Sequence, residues 1–542
     1  MSVLRKQYRG IRQSRLALLV TSAVVISLID HGQLATAGAP ATPAAPTVEA
    51  NHEQLSGAYG IRYPGVASFK GIPFSAAPVG KLRWQAPQPH QPRAGAQNAR
   101  DFAAACFQDR YNSDWYRRVA KAFGLDELPF SDPPFSEDCL YLNVWTPALA
   151  AGAGLPVMVW IHGGSNKAGW TFEPNYLGEN LAARGRVVVA SIAYRLGVFG
   201  FFGHPELRGS AAPTNFGLLD QVAALRWVHD HIRSFGGDPG NVTLFGESAG
   251  AAGIGYLITS PLARGLFQRV ISESGGFLMQ DKASLADAQQ VGVELAQALP
   301  GHPDLAGLRA RSSAEIFHAA KVALPDQDWR PVVDGISLQM SPAAFYRRHG
   351  LPYDLLIGSN ENEYYMYVDA DPASFARALA KFPPAARELL AQRAAQELDI
   401  RRGHDRVTAL AGMGCPPYLM AASARGSGHH SWVYRFTRVR PGPGGEQLLA
   451  YHGAEIPYVF DTHDSWLSGD ALDVELSTSM VAYWSNFSRS GDPNGAGLVP
   501  WPAFAAVNSQ VLQLGARIAP IAAPDQTLCE RIAGDIYPGW SH

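Results

Sequence analysis

Six short, predominantly apolar runs set the frame for this chain: Val157 to Ile161, Val187 to Ile192, Val242 to Phe245, Val270 to Ile271, Leu355 to Ile357 and Trp432 to Phe436. A strand with one wet face alternates apolar and polar residues, so runs that skip the alternation predict strands buried on both faces. Helical patterns lie between them. The clearest runs from Phe216 to Phe235, with Leu218, Leu219, Val222, Leu225, Val228 and Ile232 near one face. Alternating buried strands and amphipathic helices predict an α/β fold with a large, mostly parallel sheet covered on both faces. Sites in such sheets form at the carboxyl ends of strands. The residues just after each apolar run therefore matter most.

After about residue 50 no Pro/Ser-rich linker, charge run or internal repeat divides the sequence, which predicts one domain over 51–542. The N-terminal segment has a different character. Arg5, Lys6, Arg9, Arg12 and Arg15 precede the apolar run Leu16 to Ile29, and Ala35-Thr36-Ala37 supplies a small-x-small cleavage pattern. This predicts a signal peptide over 1–37 and export to a secreted or periplasmic location, with a flexible low-complexity lead-in over 38–50. The apolar run is short for a membrane anchor, so no membrane association is expected after cleavage. Removing residues 1–37 takes away five cations and one anion and moves the net charge from −2 to −6. That acidic balance argues against a nucleic-acid partner. Four cysteines, Cys106, Cys139, Cys415 and Cys529, predict two disulfides in an oxidising compartment, with three pairings open. No metal-ligand spacing is present and no cofactor is expected; the oligomeric state stays open.

The chemistry-bearing motif follows the run Val242 to Phe245. Gly246-Glu247-Ser248-Ala249-Gly250 is G-x-S-x-G, and a helical stretch, Ala251 to Thr259, comes next. Between a strand and a helix this is a nucleophile elbow: small flanking residues let the two elements close on each other while a strained turn lifts the serine hydroxyl. A hydroxyl needs a base to take its proton and an acid to orient that base. Hydrolases with this elbow supply them in the order Ser, Asp or Glu, His. Glu363, in Gly358-Ser359-Asn360-Glu361-Asn362-Glu363, and His452, in Tyr451-His452-Gly453, meet that order, with Glu361 as a competing acid. Donors for a tetrahedral oxyanion are available at Gly163-Gly164-Ser165, after the strand ending Trp160-Ile161, and at the N–H of Ala249. His162 reads as support for that glycine turn.

With these motifs on the page, the chain resembles the type-B carboxylesterases, the family of carboxylesterases, cholinesterases and p-nitrobenzyl esterases. The likeness also rests on Phe69-Lys70-Gly71-Ile72-Pro73, on Glu137-Asp138-Cys139-Leu140-Tyr141-Leu142-Asn143-Val144 and on Phe235-Gly236-Gly237-Asp238-Pro239, and it runs from about residue 50 to the C-terminus. It implies the α/β-hydrolase fold and a carboxylic ester as small-molecule substrate. It implies Ser248 as nucleophile, Glu363 as acid and His452 as base, with Gly164, Ser165 and Ala249 as oxyanion donors. It further implies the pairs Cys106–Cys139 and Cys415–Cys529. Three departures bear on the substrate: Ser165 replaces a third glycine, Asn166-Lys167 replaces the usual aromatic, and Tyr364 follows the acid. Lys167 is either a solvated lysine or a cation that attracts substrate carboxylates. Size and leader resemble the bacterial fumonisin esterase type, which removes tricarballylic acid side chains, and polycarboxylate esters are the matching expectation. The rival functions are a catalytically silent adhesion module of the same fold and an acyltransferase or amidase using the same three residues. The silent module is disfavoured by the presence of all three.

Overall fold

The computed structural model describes residues 44–210, 212–275, 284–505 and 509–537. The expected signal peptide, residues 1–37, lies outside them. The described residues from Ala45 onward group as one compact unit. The lead-in expected over 38–50 is not flexible to its end. Thr47–Ala50 forms a strand that pairs antiparallel with Glu53–Ser56, burying Val48 and Ala50, so ordered structure begins before residue 51.

The main sheet has eleven strands, in the spatial order Ala519–Ala522, Gln510–Leu514, Ser431–Phe436, Asp354–Asn360, Arg269–Glu273, Gly237–Glu247, Leu155–Ile161, Val188–Ile192, Tyr141–Thr146, Ala67–Pro73 and Ala58–Tyr59. Pairing is parallel from Gln510–Leu514 through Val188–Ile192 and antiparallel outside them. All six apolar runs of the sequence fall in this parallel centre. The pleat explains their composition. Val157, Val159 and Ile161 enter the core on one face of the sheet, while Met158 and Trp160 enter the core on the other. Leu244 and Phe245, and Leu355, Ile357 and Leu356, divide in the same way. Every residue of the six apolar runs is buried, so a polar side chain at either parity costs desolvation unless it is paired, as Arg435 is with Glu361.

The expected helix over Phe216 to Phe235 is α-helical over Phe216–His231 and tightens into a 3-10 turn over Ile232–Phe235. It stops where Gly236 takes φ +80°, a left-handed conformation that glycine adopts without strain. Its Leu218, Val222, Leu225 and Val228 pack onto the sheet.

The chain's route through the sheet fixes where a site can form. From Leu155–Ile161 it passes to Val188–Ile192 on one side, then returns to Gly237–Glu247 on the other. Connections therefore diverge from the carboxyl ends of Leu155–Ile161 and Gly237–Glu247, opening a crevice there. Gly163-Gly164-Ser165 and Ser248 emerge into that crevice.

Candidate active site

Ser248 caps the helix Ala249–Thr259 directly after its strand, at φ +55° and ψ −121°. A non-glycine residue in that region is strained, and the surroundings impose the strain. Ser248 N–H is tied to the Glu273 carbonyl at 2.9 Å, and its own carbonyl accepts from Ala252 N–H. The flanking glycines are required by contact. A Cβ on Gly246 would lie 2.6 Å from the Ile161 carbonyl oxygen, and one on Gly250 only 2.0 Å from the same atom. Strand and helix can close around the serine only if both positions lack side chains.

The acid and base come from adjacent loops that are stitched together. Asn362 N–H donates to the Ala450 carbonyl at 3.1 Å, and Asn360 Nδ2 donates to the Tyr451 carbonyl at 2.8 Å. This sets His452 beside Glu363, with His452 Nδ1 donating to Glu363 Oε2 at 2.7 Å. Glu363 is 1% exposed, and its other oxygen accepts from Ser274 Oγ at 2.6 Å and Asn360 N–H at 2.7 Å. Three donors fix the orientation of this carboxylate, and through it that of the imidazole. Glu361, the competing acid of the sequence, points elsewhere. It forms ion pairs with Arg435, Nε at 2.7 Å, and with Arg406. Burial would raise its pKa, but the two guanidinium groups outweigh it and hold the carboxyl at about 2.

Sequence reasoning missed Glu247. Its Oε1 lies 3.0 Å from His452 Nε2, so the imidazole stands between two carboxylates. Burial alone would lower the pKa of His452; the charges of Glu247 and Glu363 outweigh it and raise it well above the ordinary imidazole range. Among the described residues no hydrogen bond joins Ser248 to His452: the resting Nε2 faces Glu247. The sequence signal was only the variable position of G-x-S-x-G. Ser274 was missed too, because its link to Glu363 is made across the sheet.

The turn after Leu155–Ile161 is left-handed over three residues, with φ +105° at Gly164, +57° at Ser165 and +56° at Asn166. The serine that replaces a third glycine therefore keeps a glycine-like backbone, at the cost of strain. Among the described residues the N–H groups of Gly164, Ser165 and Ala249 make no hydrogen bond, and all three residues line cavities that reach Ser248. Such an arrangement can stabilise an oxyanion on an attached acyl group. His162 is buried beneath the turn, stacked 4.5 Å from Tyr194, and its Nδ1 lies 2.9 Å from the Gly163 carbonyl oxygen. Burial holds its pKa at about 4, so it is a neutral structural ring.

Two cavities meet at Ser248. The narrow one, about 80 Å³, is walled by Tyr111, Trp115, Glu173, Glu247, Tyr367 and His452. The wide one, about 520 Å³, is walled by Lys167, Ala249, Tyr256, Trp329, Arg330 and Tyr364. The helix Tyr111–Ala122, which supplies the aromatic wall, is enclosed by the disulfide Cys106–Cys139; the second disulfide joins Cys415 to Cys529. Lys167 makes no salt bridge among the described residues. Its ammonium sits 5.4 Å from the Tyr111 ring centroid.

A strained serine at an elbow, a carboxylate-bound histidine and unspent backbone donors define a serine hydrolase of the α/β-hydrolase fold. Comparison with known proteins carries this further: the profile of the Carboxylesterase family matches residues 44–528, and the chain belongs to that family. It is similar to the fumonisin B1 esterase of Sphingopyxis macrogoltabida, with 32% identity over 514 residues covering 89% of this chain and 90% of the other. To the liver carboxylesterase of Sus scrofa the identity is 35% over 536 residues, covering 86% and 89%. A solved carboxylesterase structure from Geobacillus stearothermophilus superposes with a TM-score of 0.75 at 32% identity, covering 90% of this chain and 99% of that one. A p-nitrobenzyl esterase structure gives the same TM-score at 28% identity. The protein is a carboxylic ester hydrolase.

Proposed function

We propose that the chain is an exported esterase that works through an acyl-enzyme on Ser248 and prefers esters whose acid part carries free carboxylates. His452 takes the Ser248 proton as Oγ attacks the ester carbonyl, and Glu363 stabilises the imidazolium. The N–H groups of Gly164, Ser165 and Ala249 hold the oxyanion. His452 then protonates the departing alcohol. Water, deprotonated by the same imidazole, cleaves the acyl-enzyme and releases the acid. The observation that carries this reading is the convergence at Ser248 of a carboxylate-bound imidazole and three unspent N–H donors.

The two cavities support a division of the substrate between them. The leaving alcohol must lie next to His452, which lines only the narrow cavity. The acyl group then occupies the wide cavity, where Lys167 stands. A cation there favours an acid part bearing free carboxylates, in keeping with the similarity to a fumonisin B1 esterase. Export is supported by the basic-then-apolar N-terminal sequence and by two disulfides.

Ser248→Ala tests the mechanism. It should lower turnover by on the order of 10⁶, as loss of a nucleophile that acts as part of a unit does. A fluorophosphonate should label the native protein on Ser248 and leave the variant unlabelled. Retained hydrolysis in Ser248→Ala would refute the assignment. N-terminal sequencing of protein recovered outside the cytoplasm tests export; a start near residue 38 supports it.

A further inference from the structure

The loop Pro325–Arg330 forms one wall of the wide cavity, and it carries both charge signs: Asp326, Asp328 and Arg330. It is anchored beside the oxyanion turn, because Asn166 Nδ2 donates to the Trp329 carbonyl at 3.0 Å. The Arg330 side chain is 14% exposed, and its ion-pair partner Asp328 is 59% exposed. Among the described residues Asp328 is the only ion-pair partner of this guanidinium. A guanidinium offers five N–H donors in a planar fork that matches a carboxylate edge to edge. A largely buried arginine that lines a substrate cavity and pairs only with an exposed carboxylate can therefore turn its fork to a carboxylate inside that cavity. Its one counter-ion comes from the solvent side of its own loop, two residues away.

We infer that Arg330 is a specificity-determining residue that binds a free carboxylate of the acyl group, and that Asp328 is its resting counter-ion, displaced when such a substrate binds. This rests on the reading of the wide cavity as the acyl side. Lys167 lines the same cavity, so its wall carries two cations. The matching acid has three carboxyl groups: one esterified and presented to Ser248, and two free. Asp328 acts as a built-in competitor. It keeps the buried guanidinium paired in the empty enzyme and penalises neutral acyl groups little, since these leave the pair intact. An exchange of one carboxylate for another conserves charge in the wall, so the guanidinium is never left bare.

Charge removal from the two partners should act with opposite signs. The assay compares monomethyl esters of butyric acid, glutaric acid and propane-1,2,3-tricarboxylic acid, with methanol release measured at fixed low ionic strength. The readout is the ratio of kcat/KM for each anionic ester to that for methyl butyrate. Arg330→Met should lower the ratio about tenfold, the size of one charge-assisted contact of about 1.4 kcal/mol. Arg330→Lys, which keeps the charge and loses the fork, should recover part of it. Asp328→Asn should raise the ratio several-fold through a lower KM for the anionic esters. Lys167→Met should depress the tricarboxylate ester more than the glutarate ester. A ratio in Asp328→Asn equal to or below that of the native enzyme overturns the exchange. A ratio unchanged in Arg330→Met overturns the recognition role. Failure of the underlying hydrolase reading looks different: methyl butyrate itself would then survive Ser248→Ala.

Discussion

Glu247 and His452 allow a quantitative test, because the carboxylate acts on a group whose ionisation is directly visible in kinetics. With Oε1 3.0 Å from Nε2, Glu247 favours the imidazolium over the neutral ring that must accept the Ser248 proton. Charge centres about 4 Å apart at an effective dielectric near 20 attract by about 4 kcal/mol, or roughly 3 pK units. Burial pushes the Glu247 carboxyl itself upward, so part of that attraction is spent on keeping it ionised. A net displacement of about 1–2 units is the expectation, within the range for an adjacent opposite charge. Glu247→Gln removes the charge and nearly preserves the shape. The sign follows directly: with less stabilisation of the imidazolium, His452 loses its proton at lower pH. The acid limb of kcat/KM for a neutral ester should therefore move down by about 1–2 units. Profiles between about pH 5 and 10 on native and variant enzyme, with folding checked by circular dichroism, decide the matter. A limb that stays in place, or moves up, would refute the claim that Glu247 sets the basicity of His452 and would leave it a packing residue under Gly163.

The two acids of the Glu361-Asn362-Glu363 segment should separate by assay. Glu363→Gln should cut kcat by about 10⁴, as loss of the orienting carboxylate does in such triads, with the fold retained. Glu361→Gln should instead cost about 3 kcal/mol of stability by denaturant melts, since it strands the buried Arg435 guanidinium. The folded pKa of Glu361 is depressed to about 2. Its contribution is therefore complete above the unfolded value of about 4.3 and disappears as pH falls toward 2. Replacing both Cys106 and Cys139 by Ser opens a loop with a sequence separation of 33. It should lower stability by about 3–4 kcal/mol on the loop-entropy account, and it should raise KM through the helix carrying Tyr111 and Trp115. Unchanged melting in that double variant would count against the loop-entropy account.

What could be read from the sequence is what short-range physics dictates. The six runs Val157 to Ile161 through Trp432 to Phe436 declared themselves because a strand buried on both faces carries few polar residues at either parity, and those it carries must be paired, as Arg435 is. The outer strands Ala67–Pro73 and Gln510–Leu514, each one in from an edge of the sheet, were missed. They mix polar with apolar residues, or contain Gly71 and Pro73, and only their neighbours make them strands. Ser248 was legible for a local reason as well: the two glycines are there to avoid the Ile161 carbonyl, and that contact stamps a five-residue pattern. Glu363 and His452 needed an ordering rule in addition, since 89 positions separate them and no local pattern distinguishes Glu363 from Glu361.

The residues that tune the site belong to a different category. Glu247, Ser274 and Arg330 are set by which strands lie side by side and which loop folds over which end of the sheet. None of these is encoded within one window of sequence. Ser274 reaches Glu363 because Arg269–Glu273 pairs with Asp354–Asn360. Arg330 faces the cavity because Asn166, in the oxyanion turn, captures the backbone of Trp329. On the proposed reading of the wide cavity as the acyl side, the same contact links hydrolysis to selectivity. A left-handed turn that exposes the N–H groups of Gly164 and Ser165 also places Asn166 to hold the acyl-side loop and Lys167 to face it. Loosening that turn with Asn166→Ala should therefore do two things at once. It should lower kcat for every ester, because the donors lose their fixed direction, and it should erode the preference for anionic acyl groups, because the wall carrying Arg330 is released. A variant that lost only one of the two would show that catalysis and selectivity are built independently here, and that the Asn166–Trp329 bond does not couple them.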